Sequence, residues 1–369
     1  MTENASQRPD ARRRFDLDAM KTIGIVFVVT FHVLSAAPLM PLESPSALLT
    51  YILMAVFGCQ VGLFFFVNGV LLLSRPFSLE RHVRKTLNLM LLTIVWALLF
   101  LAGHWIFERG VSPQALRSLL SGVWSLWYPA NLLWYFACLT VVWLFAPVAR
   151  ALLDYDRRVY LYLWVLVLVF SFGLRLFDEA VDTVQFMVLG DVGATCQIDP
   201  LQKINPFRGI LGSAAGLGYF MTGGLCVAYE DKVERLLSRR TAWMAILSCV
   251  VVRLLFGIMM SCSQGTYYQL ASNGYYSIFS LIEIVAIFRL LHRSHASSRI
   301  VCTLGAATGG IYLLHWPLAL ASRHGVIVAP DTLVSLLWDL LIAGLVFLVS
   351  YGGVRLLRCI PVVSWLVKV

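Results

Sequence analysis

Apolar runs of about 20 residues, separated by short polar stretches, recur along this chain and limit its fold more than any other feature. Written as a helix rising ~1.5 Å per residue, such a run crosses a hydrocarbon core about 30 Å thick. In lipid every backbone N–H and C=O needs a partner within the protein, which leaves only helices and closed barrels. The runs lack the period-2 alternation of barrel strands, so helices are expected. They lie at 21–40, 47–73, 87–106, 126–148, 159–176, 207–228, 241–261, 274–292, 300–320 and 333–354. Only 13% of the residues are charged, too few to cover the water-facing surface of a soluble domain, which carries about 25%. The expected fold is therefore all-α, a polytopic integral membrane protein of about ten transmembrane helices.

Charge placement sets the expected orientation. With ten spans and a cytoplasmic N-terminus, about 22 of the 29 basic residues fall on the cytoplasmic side, as the positive-inside rule requires. They include Arg12–Arg14, Lys21, Arg75, Arg81, Arg84, Lys85, Arg293, Arg358 and Lys368. The net charge of +9 therefore reports topology and gives no reason to expect a nucleic-acid partner. The first span also mimics a cleavable signal, with Arg12–Arg14, the apolar run Ile23–Phe31 and small residues Ser35-Ala36-Ala37. Retaining it keeps the loop charges consistent, so the chain is read as uncleaved, with 1–14 a polar, disordered tail and 15–369 a single transmembrane domain. No hydrolase-like outer domain is expected after the last span. The outer segment 177–206 is acidic and reads as a long loop able to shape a substrate entrance. Cys196 and Cys262 both fall on the outer side, where they form either a disulfide or two separate thiols.

Ionisable residues inside spans are costly and therefore informative. Lys21 and His32 are eleven positions apart, which returns the helix to within ~20° and places them on one face, ~16 Å apart along the axis. His32 reads either as a general base or as a neutral histidine bonded between helices. Asp18, one turn before Lys21, is too far from His32 to orient it and is expected to position Lys21. Arg81 and Arg84, three apart and reinforced by Lys85, can grip phosphate with forked donors, or simply obey the topology rule. Asn68 is a polar group expected to bond across a helix interface, and Gly69 permits close approach there. Arg253 and Glu283 are single intramembrane charges that either pair or line a polar cavity. His315 lies toward an outer helix end, where it either contacts an acceptor or sits at the interface beside Trp316. Asn68, Glu283 and Tyr312 are candidates for orienting the His32 ring.

Taken together and in this order, these pieces resemble the membrane acyltransferase family 3. The matching segments are Lys21-x10-His32, Phe64-Phe65-Phe66-Val67-Asn68-Gly69, Arg81-x-x-Arg84 and Gly310-Ile311-Tyr312-Leu313-Leu314-His315. Ser125-Leu126-Trp127-Tyr128, running on to Pro147, is a further landmark. Within the family the chain is most similar to stand-alone bacterial sugar O-acetyltransferases. It departs at Asn68, where the family usually has Ser, and at Lys21, where Arg is frequent; the second change keeps the charge but loses a bidentate donor.

The resemblance implies an acyl-CoA-dependent O-acetyltransferase of the bacterial inner (cytoplasmic) membrane. It would move an acetyl group from cytoplasmic acetyl-CoA to an extracytoplasmic glycan or lipid-linked sugar. His32 is then the expected catalytic residue, either as general base or as the carrier of a covalent acetyl group, with Lys21, Arg81 and Arg84 at the CoA phosphates and Asp18, Asn68, Glu283, Tyr312 and His315 in support. Acyl-CoA is a co-substrate; no metal and no permanently bound cofactor are expected. The expectation from a different class is an exporter of polysaccharide or small molecules, because midplane polar residues also mark translocation paths. No inverted repeat supports it.

Overall fold

The computed structural model describes residues 14–34, 45–107, 133–189, 211–264, 277–293, 296–323 and 332–368, together with Gly274. Among these residues there are helices and no strands. The long elements are α1 (Phe15–Leu34), α2 (Pro45–Val56), α3 (Gln60–Leu73), α4 (Leu79–Phe107) and α5 (Trp134–Tyr155). They continue as α6 (Arg157–Leu168), α7 (Leu174–Leu189), α8 (Leu211–Ala228), α9 (Glu230–Leu236), α10 (Arg239–Gln264), α11 (Ile278–Leu291), α12 (Arg299–Arg323) and α13 (Leu333–Cys359). A 3-10 turn at Phe57–Cys59 joins α2 to α3, and a π-helical stretch at Val169–Gly173 joins α6 to α7. Each joined pair thus forms one long rod.

Over the described residues, each of the ten expected spans overlaps helix. Among the described residues, eight helical stretches are both long and apolar enough to cross a membrane. The other two, α8 and α11, are shorter, and the 14 residues of α11 rise only ~21 Å. The chain is a multi-pass membrane protein. The largest departure is at 177–206, where a loop was expected throughout. Helix α7 runs on to Leu189, because Phe177, Val184 and Val188 recur at helical spacing and present one apolar face outward. The remainder of that segment, the tail before Arg14 and Cys196 lie outside the described residues, as does the side chain of Cys262, so the proposed pairing does too.

Local chemistry marks several helix starts. Asp156 accepts from the Arg158 N–H at 2.7 Å, Ser277 from Phe279 N–H at 3.2 Å and Thr332 from Ser335 N–H at 3.1 Å, each supplying an N-terminal donor with an acceptor.

Lipid and helix have similar polarity, so packing rather than water expulsion holds the bundle. The closest approach is between α3 and α8. A Cβ added at Gly69 would strike the Phe220 carbonyl, and one at Gly223 would strike the Phe66 carbonyl. Two glycines facing each other's backbone in this way allow the helices to touch main chain to main chain. Helix α1 sits at the centre, packed against α3, α12 and α13. The helix carrying Lys21 and His32 is therefore held on several sides by protein.

Candidate active site

A cavity of about 760 Å³ opens between α1, α3, α4, α5 and α12. Lys21, Arg75, Arg81, Lys85 and Lys368 line it, and no carboxylate does so among the described residues. Its walls are otherwise mostly apolar, with Leu72, Leu89, Leu92 and Leu139 beside the rings of Phe136 and Trp143. Such a volume falls in the range of small-molecule sites.

Helical geometry explains which α4 residues take part. From Arg81, Lys85 is ~40° round the helix and Leu92 ~20°, so with Asn88 they form one stripe. Arg84 is ~60° away on the other side, among the exposed residues Glu80, Val83 and Leu87. There it pairs with Glu80 at 3.0 Å, both side chains largely exposed, and it does not line the cavity. Of the expected pair and the lysine beside it, Arg81 and Lys85 border the cavity and Arg84 does not. His82, next to Arg81, is buried, and its Nε2 bonds the Trp143 carbonyl at 2.7 Å, fixing α4 against α5.

On α1, Lys21 is half-buried at the cavity wall and pairs with Asp18 at 2.8 Å, as expected from their spacing. Asp18 is 3% exposed and is wedged against Gly305 of α12. A Cβ at Gly305 would lie 2.7 Å from that of Asp18, so only glycine lets the ion pair sit between these helices. The Thr22 hydroxyl donates to the Asp18 carbonyl at 2.8 Å and also reaches the Val301 carbonyl of α12 at 3.3 Å.

Further along α1, His32 meets His315. His315 is fully buried, with its Nε2 3.2 Å from His32 Nδ1 and the ring centroids 5.1 Å apart. His315 is thus enclosed by protein and packed against the His32 ring. The protons can be assigned from partners. His315 Nδ1 faces the carbonyls of Tyr312 at 2.7 Å and Ile311 at 3.2 Å, and carbonyls only accept. Nδ1 is therefore protonated, and in the neutral ring Nε2 is an acceptor. His32 Nδ1 lies between that lone pair and the Val28 carbonyl at 2.9 Å, so it donates. In neutral His32 the basic lone pair is then on Nε2. Trp316 packs edge-on against the His32 ring at 5.2 Å.

His32 does not line the cavity. Tyr312 does, and its ring lies 5.6 Å from that of His315 and 5.0 Å from that of Tyr135, another lining residue. The inner end of the cavity is therefore separated from the imidazole pair by a layer of tyrosine rings.

A family model described as an acyltransferase domain matches residues 14–355, nearly the whole chain. The chain belongs to membrane acyltransferase family 3. No curated protein and no solved structure matches it.

The remaining expected site residues of this acyltransferase separate into two groups. Asn68 lines the cavity; its amide donates to the Phe64 carbonyl at 2.9 Å and accepts from the Trp143 indole at 3.2 Å, an interhelical bond as expected. Glu283 instead forms a fully buried ion pair with Arg253, which also donates to Ser280 Oγ at 3.0 Å. That pair joins α10 to α11, and neither member lines the cavity. Of the three candidates for orienting His32, Asn68 and Glu283 spend these bonds elsewhere, while Tyr312 contributes through His315. His315 itself supplies the ring-to-ring contact.

One charged cluster of the acyltransferase was not foreseen. His292, just past α11, bonds Asp16 through Nδ1 at 3.2 Å and Glu230 through Nε2 at 2.8 Å. Arg14 donates to Asp16 at 2.6 Å, and Arg293 donates to Glu230 at 2.8 Å and Glu234 at 2.9 Å. The hydrogen bond to Asp16, and then that to Glu230, raises the His292 pKa above its ordinary 6.5. The bond from His292 lowers Glu230 below its ordinary 4.5. Ligand atoms of Glu230, Glu234 and His292 lie within 4.8 Å of one another, a spacing that suits a cation. Arg293 and His292 already supply positive charge there. The residues involved are scattered in sequence and lack any metal-binding spacing, so no local signal announces the cluster.

Proposed function

We propose that this acyltransferase is an O-acetyltransferase of the bacterial cytoplasmic membrane that takes acetyl groups from acetyl-CoA and delivers them to a hydroxyl of an extracytoplasmic glycan or lipid-linked sugar. The observation that carries the reading is the mostly apolar cavity bordered, among the described residues, by five cations and no carboxylate. CoA suits it chemically: several phosphates for the cations and an uncharged arm for the apolar walls. The basic residues also mark this end as cytoplasmic, where acyl-CoA resides.

In the proposed reaction Nε2 of His32 takes the proton from the acceptor hydroxyl as its oxygen attacks the thioester carbonyl. The new C–O bond forms, the C–S bond breaks, and the proton passes from His32 to the departing CoA sulfur. His315 holds the His32 ring in the tautomer with a basic Nε2 and shares the positive charge that develops. For the thioester to reach His32, the Tyr135 and Tyr312 rings must turn aside. Asp18 keeps the Lys21 ammonium at the cavity wall, and Asn68 braces α3 against Trp143.

His32→Ala is expected to lower acetyl transfer by at least 10²-fold, with the protein still present in the membrane at normal levels. The check is mass spectrometry of surface glycans from strains carrying either form. Normal acetylation by the variant would end the role given to His32.

A further inference from the structure

The chain after α13 does not run away from the bundle. Val363 and Ser364 N–H groups both bond the Ile360 carbonyl, at 3.2 and 2.9 Å, and this turns the backbone into a 3-10 helix at Ser364–Val367. Three contacts then hold the turn in place. The Trp96 indole of α4 donates to the Leu366 carbonyl at 2.8 Å. Arg358 donates to the Ala306 carbonyl of α12 at 2.7 Å and reaches the Val367 carbonyl at 3.5 Å. Val367 is 1% exposed and packs against Gly310, where a Cβ would come within 3.0 Å of it. The segment is thus tied to α4, α12 and α13.

What this anchoring delivers is Lys368. It lines the same cavity as Lys21, Arg75, Arg81 and Lys85. Its Nζ donates to Ser364 Oγ at 3.0 Å, which uses one of the three donors of an ammonium and holds the side chain in a defined direction. A lysine needed only to obey the positive-inside rule would require neither an anchored backbone nor a place in a cavity wall. We infer that the segment Ile360–Lys368 is part of the donor site and that Lys368 binds a phosphate group of the acyl donor, an inference that rests on reading the cavity as the acyl-CoA site. The four cations from α1, α4 and the α3–α4 connection border part of the cavity, and Lys368 closes the set from a different segment. A donor carrying several phosphates at separate points of its length meets cations on more than one wall.

The test is calorimetric titration of free CoA into the detergent-solubilised full chain, together with acetyl-CoA kinetics in membranes. Lys368→Gln should weaken CoA binding and raise the donor KM about five- to tenfold, with kcat within about twofold of the wild type. Lys368→Arg should restore both constants to within about twofold, because the charge returns. Trp96→Phe, which removes the bond to Leu366 without touching the cavity wall, should raise the donor KM in the same direction by a smaller factor. Unchanged CoA binding by Lys368→Gln, alongside wild-type binding, overturns this inference and leaves the cavity reading intact. No CoA binding by the wild-type chain overturns both. A fall in kcat with unchanged KM assigns Lys368 a structural role and also overturns the inference.

Discussion

Two groups of charged side chains at the basic end of the bundle use their charges in opposite ways. Around His292, cations and anions alternate: Arg14, Asp16, His292, Glu230, Arg293 and Glu234 each contact a partner of opposite sign. Around the cavity, Lys21, Arg75, Arg81, Lys85 and Lys368 converge, and among the described residues only Lys21 is given an acidic partner there, Asp18. Like charges brought together repel, so the protein loses stability by gathering them unless an anion arrives. A balanced cluster joins elements of the fold, while an unbalanced one is suited to a ligand. The His292 group ties the start of α1 to α9 and the end of α11, which steadies the helix that carries Lys21 and His32.

The largest expected effect tests the unbalanced side. Arg81→Ala with Lys85→Ala should raise the donor KM about 10- to 100-fold, roughly 1.4–2.8 kcal/mol of binding, with membrane insertion unchanged. Steady-state kinetics at several acetyl-CoA concentrations measures this; a KM within twofold of the wild type would remove α4 from the donor site.

The balanced side should respond in stability. His292→Ala is expected to cost about 1–3 kcal/mol at pH 6, since it removes a charged hydrogen bond from each of Asp16 and Glu230 and leaves them to Arg14 and Arg293. The direction with pH follows from the shifts. The raised His292 contributes fully below its ordinary 6.5 and loses its contribution as pH climbs through its higher folded value. The lowered Glu230 contributes above its ordinary 4.5 and loses its contribution as pH falls through its lower folded value. Thermal unfolding in detergent should therefore show a wild-type advantage over His292→Ala that is greatest near pH 5–6 and narrows toward alkaline pH. An advantage that widens with pH would contradict the assignment of a charged His292.

The smallest effect sharpens the border between the two behaviours. Arg84→Ala removes an exposed i,i+4 pair worth about 0.3–0.5 kcal/mol and should leave the donor KM within about twofold. A rise matching that of the Arg81/Lys85 double variant would mean that Arg84 swings into the cavity when the donor binds.

Much of the architecture was legible because hydropathy is a local property: over the described residues each of the ten expected spans overlaps helix. Spacing along one helix was equally readable, and the Asp18–Lys21 pair follows from it. Which cations of one helix border the cavity was not readable in the same way. Arg81 and Arg84 share a broad helix face, but the cavity takes the narrower stripe through Arg81, Lys85, Asn88 and Leu92. Where the border of that stripe falls depends on how α4 is rotated against α5, and the rotation is set by contacts such as His82 with Trp143. Arg253 and Glu283 could be suggested as partners because unpaired charges in lipid are so costly. The contact of His315 with His32 was not readable, because it joins α1 to α12 across 283 positions of sequence.

The amino-acid order by itself determined that this chain crosses a membrane many times, that its basic residues gather at one end, and that Lys21 and His32 share a face of α1. These follow from transfer free energies and helical repeat, which act over a few turns. Only the tertiary structure decided that His315 meets His32, that Arg84 turns away while Lys85 turns in, and that Lys368 returns to the cavity. Those outcomes depend on contacts between helices distant in sequence, where close approach at glycines such as Gly69 and Gly305 sets which side chains can meet.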